Sequence, residues 1–376
     1  MKKCIVISDS FKGTLSSLEI CRIARESIPR FFPDCQVLTA PVADGGEGLV
    51  ECFETAIGAQ PVTVSVTGPL GRSVQATYAR KDKLAIVEMA AAAGLPMMGG
   101  NGDPAQATTY GVGEMIRHAI ENGCTDILLG LGGSATNDGG CGCAAALGTG
   151  FYDKHGKRFI PTGATLERIE TIRVSDGWTL PEDVRITVMC DVDNPLYGPT
   201  GAAYIFGPQK GADTAMTARL DKGLRKLDAV MKKDLGVSVA DVPGAGAAGG
   251  MGAGCMAFLR AVLKPGIECV LDTIGFDAML EDAELVITGE GRIDSQSVHG
   301  KVISGIAKRT RSRGIPLIAL VGGIAEGAEA GYDLGVTAMF GIDRSAQDFH
   351  VFAADSAKYY QRTLEDILRL IAAVKG

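Results

Sequence analysis

Short apolar runs alternate with amphipathic stretches at both ends of the chain. Residues 3–8 form an apolar run that ends in Asp9, and a helical pattern follows until Pro29. A second apolar run covers residues 35–41, and a second helical pattern covers residues 47–57. A strand, a helix and a second strand in this order predict a parallel α/β sheet, because parallel strands need a crossover between them.

The pattern is different in the middle of the chain. Apolar and polar residues alternate at positions 62–66, 75–79 and 84–89, which predicts short strands of a mixed or antiparallel sheet. From residue 285 onward, strands and helices alternate again. The predicted strands there are residues 285–288, 317–321 and 338–340, and the predicted helices are residues 302–310, 325–332 and 354–374.

Similar patterns at the two ends, around a different middle, indicate a discontinuous domain with a second domain inserted into it. We therefore expect an α/β fold in which residues 1–85 and 285–376 form a Rossmann-like three-layer domain and residues 86–284 form an inserted α/β domain. Two tandem domains that meet near residue 150 are the alternative, since no charge-rich or proline-rich linker marks a boundary.

Composition narrows the class of protein. The 37 Lys and Arg residues against 44 Asp and Glu residues give a net charge of −7, which argues against nucleic acid or an anionic membrane as a partner. With four His and no CxxC pair, a zinc site is not expected. No apolar stretch resembles a signal peptide or a membrane span, so we expect a cytoplasmic protein with reduced thiols.

Acidic residues and glycines follow the predicted strands. Because ligands of a parallel sheet bind beyond the carboxyl ends of its strands, these groups are the candidate site. A single acid in such a place is more often a helix cap or a turn residue, but several together, with Lys and Arg between them, suit a metal-bound phosphate. The groups are residues 9–14, 44–48, 88, 132–140, 191–194 and 289–294.

Glycine is unusually abundant, with 51 of 376 residues, and two segments are dense in it. Residues 132–140 (GGSATNDGG) and 244–254 (GAGAAGGMGAG) are predicted to point backbone N–H groups at an anion, with tight packing of small residues as the alternative. Residues 244–249 also match GxGxxG, but Pro243 and the extra glycines fit a dinucleotide turn poorly. Neither a P-loop nor a protein-kinase signature occurs.

Taken together, these segments resemble the bacterial glycerate kinase family. The resemblance extends in register from Ile5 to Gly323 and is looser over the last fifty residues. It rests on residues 9–12 (DSFK), 41–48 (PVADGGEG), 88–92 (EMAAA), 132–140, 190–196 (CDVDNPL), 205–212 (IFGPQKGA), 243–252 and 286–297.

The resemblance implies an enzyme that uses ATP and Mg²⁺ to phosphorylate D-glycerate, with 2-phosphoglycerate favoured over 3-phosphoglycerate as the product. It also implies two α/β domains, one inserted into the other, with the active site in the cleft between them. On these terms we expect no nucleic-acid or membrane partner, and we leave a homodimer open.

Roles follow from the chemistry of phosphoryl transfer, which needs positioning and charge neutralisation. Asp191, or else Asp294, is the candidate acceptor of the glycerate hydroxyl proton. Ser10, Lys12 and Arg292 are the candidates for binding substrate, and Lys12 is also a catalytic candidate. The ATP-binding candidates are Gly132, Gly133, Ser134, Asn137, Lys210, Gly246, Gly249, Gly250 and Lys301, and the Mg²⁺ candidates are Asp44, Glu47, Asp193 and Glu290.

Two functions of other classes stay open at this stage. A dehydrogenase of a small hydroxy acid would use the GxGxxG segment, with Glu268 as the ribose partner. A non-catalytic nucleotide-binding regulator on an α/β scaffold is the other alternative.

Overall fold

The computed structural model describes residues 1–42, 48–100, 102–174, 176–294, 302–343 and 349–375. Its strands are β1 (Lys3–Ser8), β2 (Gln36–Pro41), β3 (Gln60–Thr67), β4 (Ser73–Lys81), β5 (Leu84–Glu88), β6 (Asp126–Gly130), β7 (Gly150–Tyr152), β8 (Arg158–Phe159), β9 (Thr171–Arg173), β10 (Arg185–Met189), β11 (Val262–Lys264), β12 (Leu285–Gly289), β13 (Arg292–Ile293), β14 (Leu317–Val321), β15 (Gly323–Ile324) and β16 (Ala338–Gly341).

The helices lie between these strands. They are α1 (Ser17–Phe31), α2 (Leu49–Ile57), α3 (Ala90–Ala93), α4 (Tyr110–Glu121), α5 (Cys141–Ala146), α6 (Ala202–Phe206), α7 (Thr214–Leu235), α8 (Ala247–Leu259), α9 (Gly266–Thr273), α10 (Phe276–Met279), α11 (Val302–Arg311), α12 (Ala330–Leu334) and α13 (Phe349–Lys375), with short 3₁₀ helices at Leu95–Met98, Gly163–Arg168 and Pro208–Lys210. No helix among the described residues is both long enough and apolar enough to cross a bilayer.

The chain divides into two compact units. Unit 1 comprises residues 1–44, 51–58 and 266–376, and unit 2 comprises residues 45–50 and 59–265. These limits differ from the expected ones because β3 and β4 join the sheet of β5 in unit 2, while α9 and α10 pack with α11 and one another in unit 1. The mixed α/β class is confirmed.

Unit 1 is built on a parallel five-stranded sheet in the order β16-β14-β12-β1-β2. Successive residues of β12 and β14 are buried on both faces, as a parallel sheet covered by helices requires. One apolar core joins α1 and α13 to alternate residues of the central strands, such as Val6 and Ile287. The predicted parallel sheet is therefore confirmed in unit 1.

Two predicted helices differ in extent from the observed ones. Helix α1 continues past Pro29 to Phe31, and the amide N–H of Phe32 donates to the Ile28 carbonyl oxygen at 3.0 Å, closing the last turn. The helix predicted at residues 325–332 is shorter, because Gly327 has φ +83° and α12 begins only at Ala330.

Unit 2 contains a six-stranded sheet in the order β11-β10-β6-β5-β4-β3. Strands β5, β6, β10 and β11 are parallel, whereas β3 and β4 form an antiparallel hairpin that continues onto β5. The mixed sheet that the alternating residues predict is thus confirmed. A small antiparallel sheet, β8-β7-β9, was not predicted.

Candidate active site

The central strands of unit 1 create the natural place for a ligand. Strand β1 is hydrogen-bonded to β2 on one side and to β12 on the other. The chain adds β2 on one side of β1, whereas it adds the later strands β12, β14 and β16 one after another on the other side. The order of connection therefore reverses between β1 and β12. In doubly wound sheets, ligands bind at such a switch point, outside the carboxyl ends of the strands.

The segment after β1 forms a tight turn at this point. The amide N–H of Asp9 donates to the Gly289 carbonyl oxygen at 2.9 Å, which fixes the end of β1 beside the end of β12. The Asp9 carboxylate accepts a hydrogen bond from the Ser10 amide N–H at 2.7 Å. The amide N–H of Phe11 donates to the Leu15 carbonyl oxygen at 2.7 Å, so the residues between them, including the exposed Lys12, form the tip of the turn.

The segment after β12 runs against the segment after β14. The amide N–H groups of Gly322 and Gly323 donate to the carbonyl oxygens of Glu290 and Gly291, both at 3.1 Å. A Cβ atom on Gly322 would lie 2.2 Å from the Gly291 carbonyl oxygen, so a larger residue would force these segments apart. The close approach holds Glu290 and Arg292 in place at the edge of the sheet.

These segments enclose a cavity of about 640 Å³ within unit 1, a size typical of small-molecule sites. Its wall combines buried acids, exposed cations and apolar groups. The lining residues are Asp9, Ser10, Phe11, Lys12, Thr14, Glu290, Gly291, Arg292, Val302, Gly322, Gly323, Asp343 and Phe352. Such a wall can hold an anionic ligand through its cations while its carboxylates hold a metal ion.

The residues present suit Mg²⁺ by their donor type. Asp9 and Glu290 are only 9% and 7% exposed, and both line the cavity with carboxylates, which are the oxygen donors that Mg²⁺ prefers. Among the described residues no group of three or more His, Cys, Asp or Glu could hold a metal ion.

The carboxyl edge of the unit 2 sheet carries the first glycine-rich segment. Residues 131–140 follow β6 and are held to neighbouring loops by backbone hydrogen bonds. The amide N–H of Leu95 donates to the Gly133 carbonyl oxygen at 2.8 Å, and the amide N–H of Ala135 donates to the Ala93 carbonyl oxygen at 2.9 Å. This segment therefore has a defined conformation.

Asp138 organises the end of that segment. It is fully buried, and its carboxylate accepts hydrogen bonds from the amide N–H and the hydroxyl of Thr109, at 2.8 and 2.9 Å. It also accepts from the amide N–H groups of Gly140 and Gly142, at 3.1 and 3.2 Å. Burial raises the pKa of the Asp138 carboxyl, and these hydrogen bonds oppose the rise. The carboxylate thereby joins the starts of α4 and α5.

Lys210 reaches the same segment from the 3₁₀ helix Pro208–Lys210. It is only 2% exposed, and its Nζ donates to the Ser134 hydroxyl and to the Thr136 carbonyl oxygen, both at 2.8 Å. Burial lowers the pKa of Lys210 to about 7, and the charge of Asp138 opposes the shift. A buried lysine with neutral hydrogen-bond acceptors is uncommon, and such perturbed groups cluster at functional sites.

The second glycine-rich segment packs closely against its neighbours. A Cβ atom on Gly249 would lie 2.0 Å from the Thr136 carbonyl oxygen, and one on Gly246 would lie 2.2 Å from the Pro195 carbonyl oxygen. A Cβ atom on Gly250 would lie 2.8 Å from Cδ1 of the Leu196 side chain. Since backbone or side-chain atoms stand where these Cβ atoms would be, tight packing accounts for the absence of a side chain at these three positions, and their contact with ATP stays a prediction. The GxGxxG match follows the helical α7 and not a strand, unlike a dinucleotide-binding turn.

The structure brings together part of the predicted site. Ser10, Lys12, Arg292 and Glu290 all line the cavity of unit 1, and the half-buried Asp294 comes just after β13. In unit 2, the predicted residues Ser134, Asn137 and Lys210 are buried in one region, with Gly132 and Gly133 at the start of the segment. Asp191 and Asp193 are exposed beyond the end of β10. Asp44, Glu47 and Lys301 lie outside the described residues.

Several site residues were missed by reasoning from the sequence. Asp9 follows the first strand and was available to the rule that found Glu290, but it was not assigned a role. Asp343 comes two residues after Gly341, the last residue of β16, and it was not assigned a role either. The hydrogen bonds of Asp138 connect Thr109 to residues about thirty positions later, and no local pattern indicates them.

Comparison with known proteins identifies the family. A family model for the glycerate kinase family matches residues 4–372. The chain belongs to the glycerate kinase family. It is therefore a kinase, and the dehydrogenase and the non-catalytic regulator are set aside.

The relatives of this kinase match over most of their length. The glycerate 2-kinase of Escherichia coli is 45% identical over 344 residues, which cover 91% of this chain and 89% of the relative. The glycerate kinase of Bacillus cereus is 41% identical over 375 residues, which cover 99% of this chain and 97% of the relative. The crystal structure of a candidate glycerate kinase 2 from Salmonella typhimurium superposes with a TM-score of 0.88 at 39% identity, covering 100% and 99% of the two chains.

The buried carboxylate of Asp138 leads to a stability prediction. In Asp138→Asn, one acceptor oxygen becomes an amide group that cannot accept from the surrounding N–H groups. We expect the free energy of unfolding, measured by urea denaturation, to fall by about 2–4 kcal/mol. Asp213→Asn is the matched control, because Asp213 is an exposed N-cap of α7 and Asn caps helices equally well. Equal stabilities of the two variants would contradict the role given to Asp138.

Proposed function

We propose that this kinase transfers the terminal phosphoryl group of ATP to the 2-hydroxyl of D-glycerate, with Mg²⁺ as cofactor. The observation that carries the proposal is the unit 1 cavity, where Lys12 and Arg292 lie with the carboxylates of Asp9 and Glu290 in a chain of the glycerate kinase family. The printed name of the Escherichia coli relative, glycerate 2-kinase, supports the choice of hydroxyl.

Glycerate fits the cations of the cavity. Its carboxylate needs charge-assisted hydrogen bonds, and the Arg292 guanidinium can supply two parallel ones. Lys12 adds a flexible positive charge at the tip of the turn after β1, and the Ser10 hydroxyl can bond a substrate hydroxyl. A three-carbon acid fills only a small part of about 640 Å³, so the cavity also has room for a phosphoryl group.

The acids have a separate role. Glu290, together with Asp9, would hold Mg²⁺ through oxygen atoms or water, and Asp193 of unit 2 is a further candidate. When bound, the ion would neutralise negative charge on the phosphates. Without it, two buried carboxylates in the wall would repel the anionic substrates.

The phosphates of ATP have a site of suitable chemistry in unit 2. Gly132 and Gly133 offer backbone N–H groups after β6, Ser134 offers a hydroxyl, and Lys210 offers an amino group held against that hydroxyl at 2.8 Å. Gly246, Gly249 and Gly250 would support this segment through packing. Asp191 remains our first candidate for the base, and Asp294 the second.

A coupled assay of ADP release tests the function. With D-glycerate, ATP and Mg²⁺, we expect ADP formation, and the product should enter enolase without a mutase because only 2-phosphoglycerate is an enolase substrate. A requirement for the mutase would indicate phosphorylation at the 3-hydroxyl. Absence of ADP release with D-glycerate would overturn the proposal.

Substitution of the two candidate bases assigns the proton acceptor. Asn keeps the shape of Asp but cannot accept the hydroxyl proton, so Asp191→Asn should lower kcat by about 10²–10⁴-fold. Asp294→Asn is measured in parallel. If Asp294→Asn shows the large loss and Asp191→Asn keeps near-normal turnover, the base is Asp294.

Replacement of Lys12 tests where the substrate carboxylate binds. Lys12→Ala removes a cation from the cavity, so we expect the KM for D-glycerate to rise by about tenfold, which corresponds to one charge-assisted hydrogen bond. The KM for ATP should change less. The exposed Lys222, whose partner is Glu167 in unit 2, supplies the control Lys222→Ala. A larger effect on the KM for ATP would assign Lys12 to the nucleotide.

A further inference from the structure

Lys210 is placed where an uncharged amine fits better than an ammonium group. Its side chain is 2% exposed, and the acceptors of its Nζ are the neutral Ser134 hydroxyl and Thr136 carbonyl oxygen. A neutral amine has two N–H donors, which these two acceptors satisfy, whereas an ammonium has three. A charge buried in this way is unfavourable unless it is paired.

The negative charge near Lys210 is already engaged. Asp138, which lies in the segment after β6, is the described ionisable group that acts on Lys210. Its carboxylate is occupied by N–H and O–H donors of Thr109, Gly140 and Gly142. Asp138 therefore offsets the burial of Lys210 only in part.

A second observation in the same segment points to a ligand-binding position. Asn137 is 1% exposed, and neither its Oδ1 nor its Nδ2 has a hydrogen-bond partner among the described residues. Unsatisfied buried amide groups are rare and destabilising. Asn137 and the two acceptors of Lys210 lie within four consecutive residues, 134–137. One segment thus contains a buried amide group without a hydrogen-bond partner and the two acceptors of Lys210, neither of which is an anion.

We propose that Lys210 is a charge-switching residue, which is largely uncharged in the enzyme without ligand and takes up a proton when a phosphate group of the nucleotide binds to residues 132–137. The proposal rests on the proposed function, since it assumes that this segment binds ATP and ADP. The phosphate supplies the negative charge that the buried ammonium lacks, and its oxygens supply the third acceptor. Lys210 is therefore expected to take up its proton when a phosphate binds at this segment, and not when an anion binds elsewhere on the exposed surface.

The fraction of Lys210 that is charged in the free enzyme determines how many protons are taken up on binding. Because burial lowers the pKa of Lys210 to about 7, only about a tenth of it is charged at pH 8 in the free enzyme. Binding of a phosphate dianion restores a higher pKa, so about 0.9 proton is taken up at pH 8. Since the protonated form is the one that binds, the Kd for the nucleotide rises with pH by nearly tenfold from pH 8 to pH 9.

Calorimetric titration with ADP tests the switch. The enzyme is titrated at pH 8 without Mg²⁺ in buffers of different ionisation enthalpy, because the number of protons taken up is the slope of the observed enthalpy against that quantity. The phosphates of ADP are fully ionised at this pH, since their last pKa is near 6. We expect a slope near one proton in the wild type and near zero in Lys210→Met and Lys210→Arg. Lys226→Met, which removes a half-buried lysine paired with Glu170, should retain the wild-type slope.

The possible outcomes separate this proposal from the proposed function. ADP binding without proton uptake in a wild-type enzyme that phosphorylates D-glycerate would overturn the switch alone, and Lys210 would then be a fixed clamp of the segment. An unchanged slope in Lys210→Met would assign the proton to another group. Failure to bind ADP, together with failure to release it from ATP, would overturn both proposals. The wild-type slope and the pH dependence of Kd decide the question even if the variants do not fold.

Discussion

The parallel pairing of strands is the constraint on which the candidate sites of both units depend. Strands β1, β12 and β14 run in one direction, so their carboxyl ends share one edge of the unit 1 sheet. Asp9, Glu290 and Gly322 meet there although they are far apart in the sequence. Because the strands themselves remain apolar and buried, the polar groups are confined to the connecting segments, where they do not disturb the core.

Close backbone contact is the second requirement, and glycine provides it. In unit 1, Gly322 allows the segment after β14 to approach the segment after β12. In unit 2, Gly249 has φ +70° and lies against Thr136, while its carbonyl oxygen accepts a hydrogen bond from the Gly139 amide N–H at 3.0 Å. The glycine-rich segment at residues 244–254 therefore shapes the segment that contains the hydrogen-bond acceptors of Lys210.

Much of this organisation could be predicted from local pattern. Apolar runs followed by acidic residues and glycines located β1 and β12, and Ser10, Lys12, Glu290 and Arg292 line one cavity. The unit boundaries could not be derived in the same way, because the pairing of β5 with β6 joins residues about forty positions apart, such as Leu84 and Asp126, and no local pattern indicates it. For the same reason, the role of Asp138 became visible only when Thr109 was found beside it. The role of the glycines at 246, 249 and 250 could not be fixed from the sequence, since a ligand-binding turn and a packing contact both require the absence of a side chain.

The basic residues of the two candidate sites differ in burial. In unit 1, Lys12 and Arg292 are exposed, so water stabilises their charges whether or not an anion is bound. Such cations attract carboxylates and phosphates alike, and they discriminate little between them. In unit 2, the charged form of Lys210 has an unfavourable desolvation free energy, which a ligand with a high negative charge would offset. A singly charged carboxylate offsets less of that penalty than a phosphate dianion does. It follows from our proposal that selectivity for the nucleotide phosphates over the carboxylate of the second substrate resides in the buried cation, while the exposed cations serve capture and orientation.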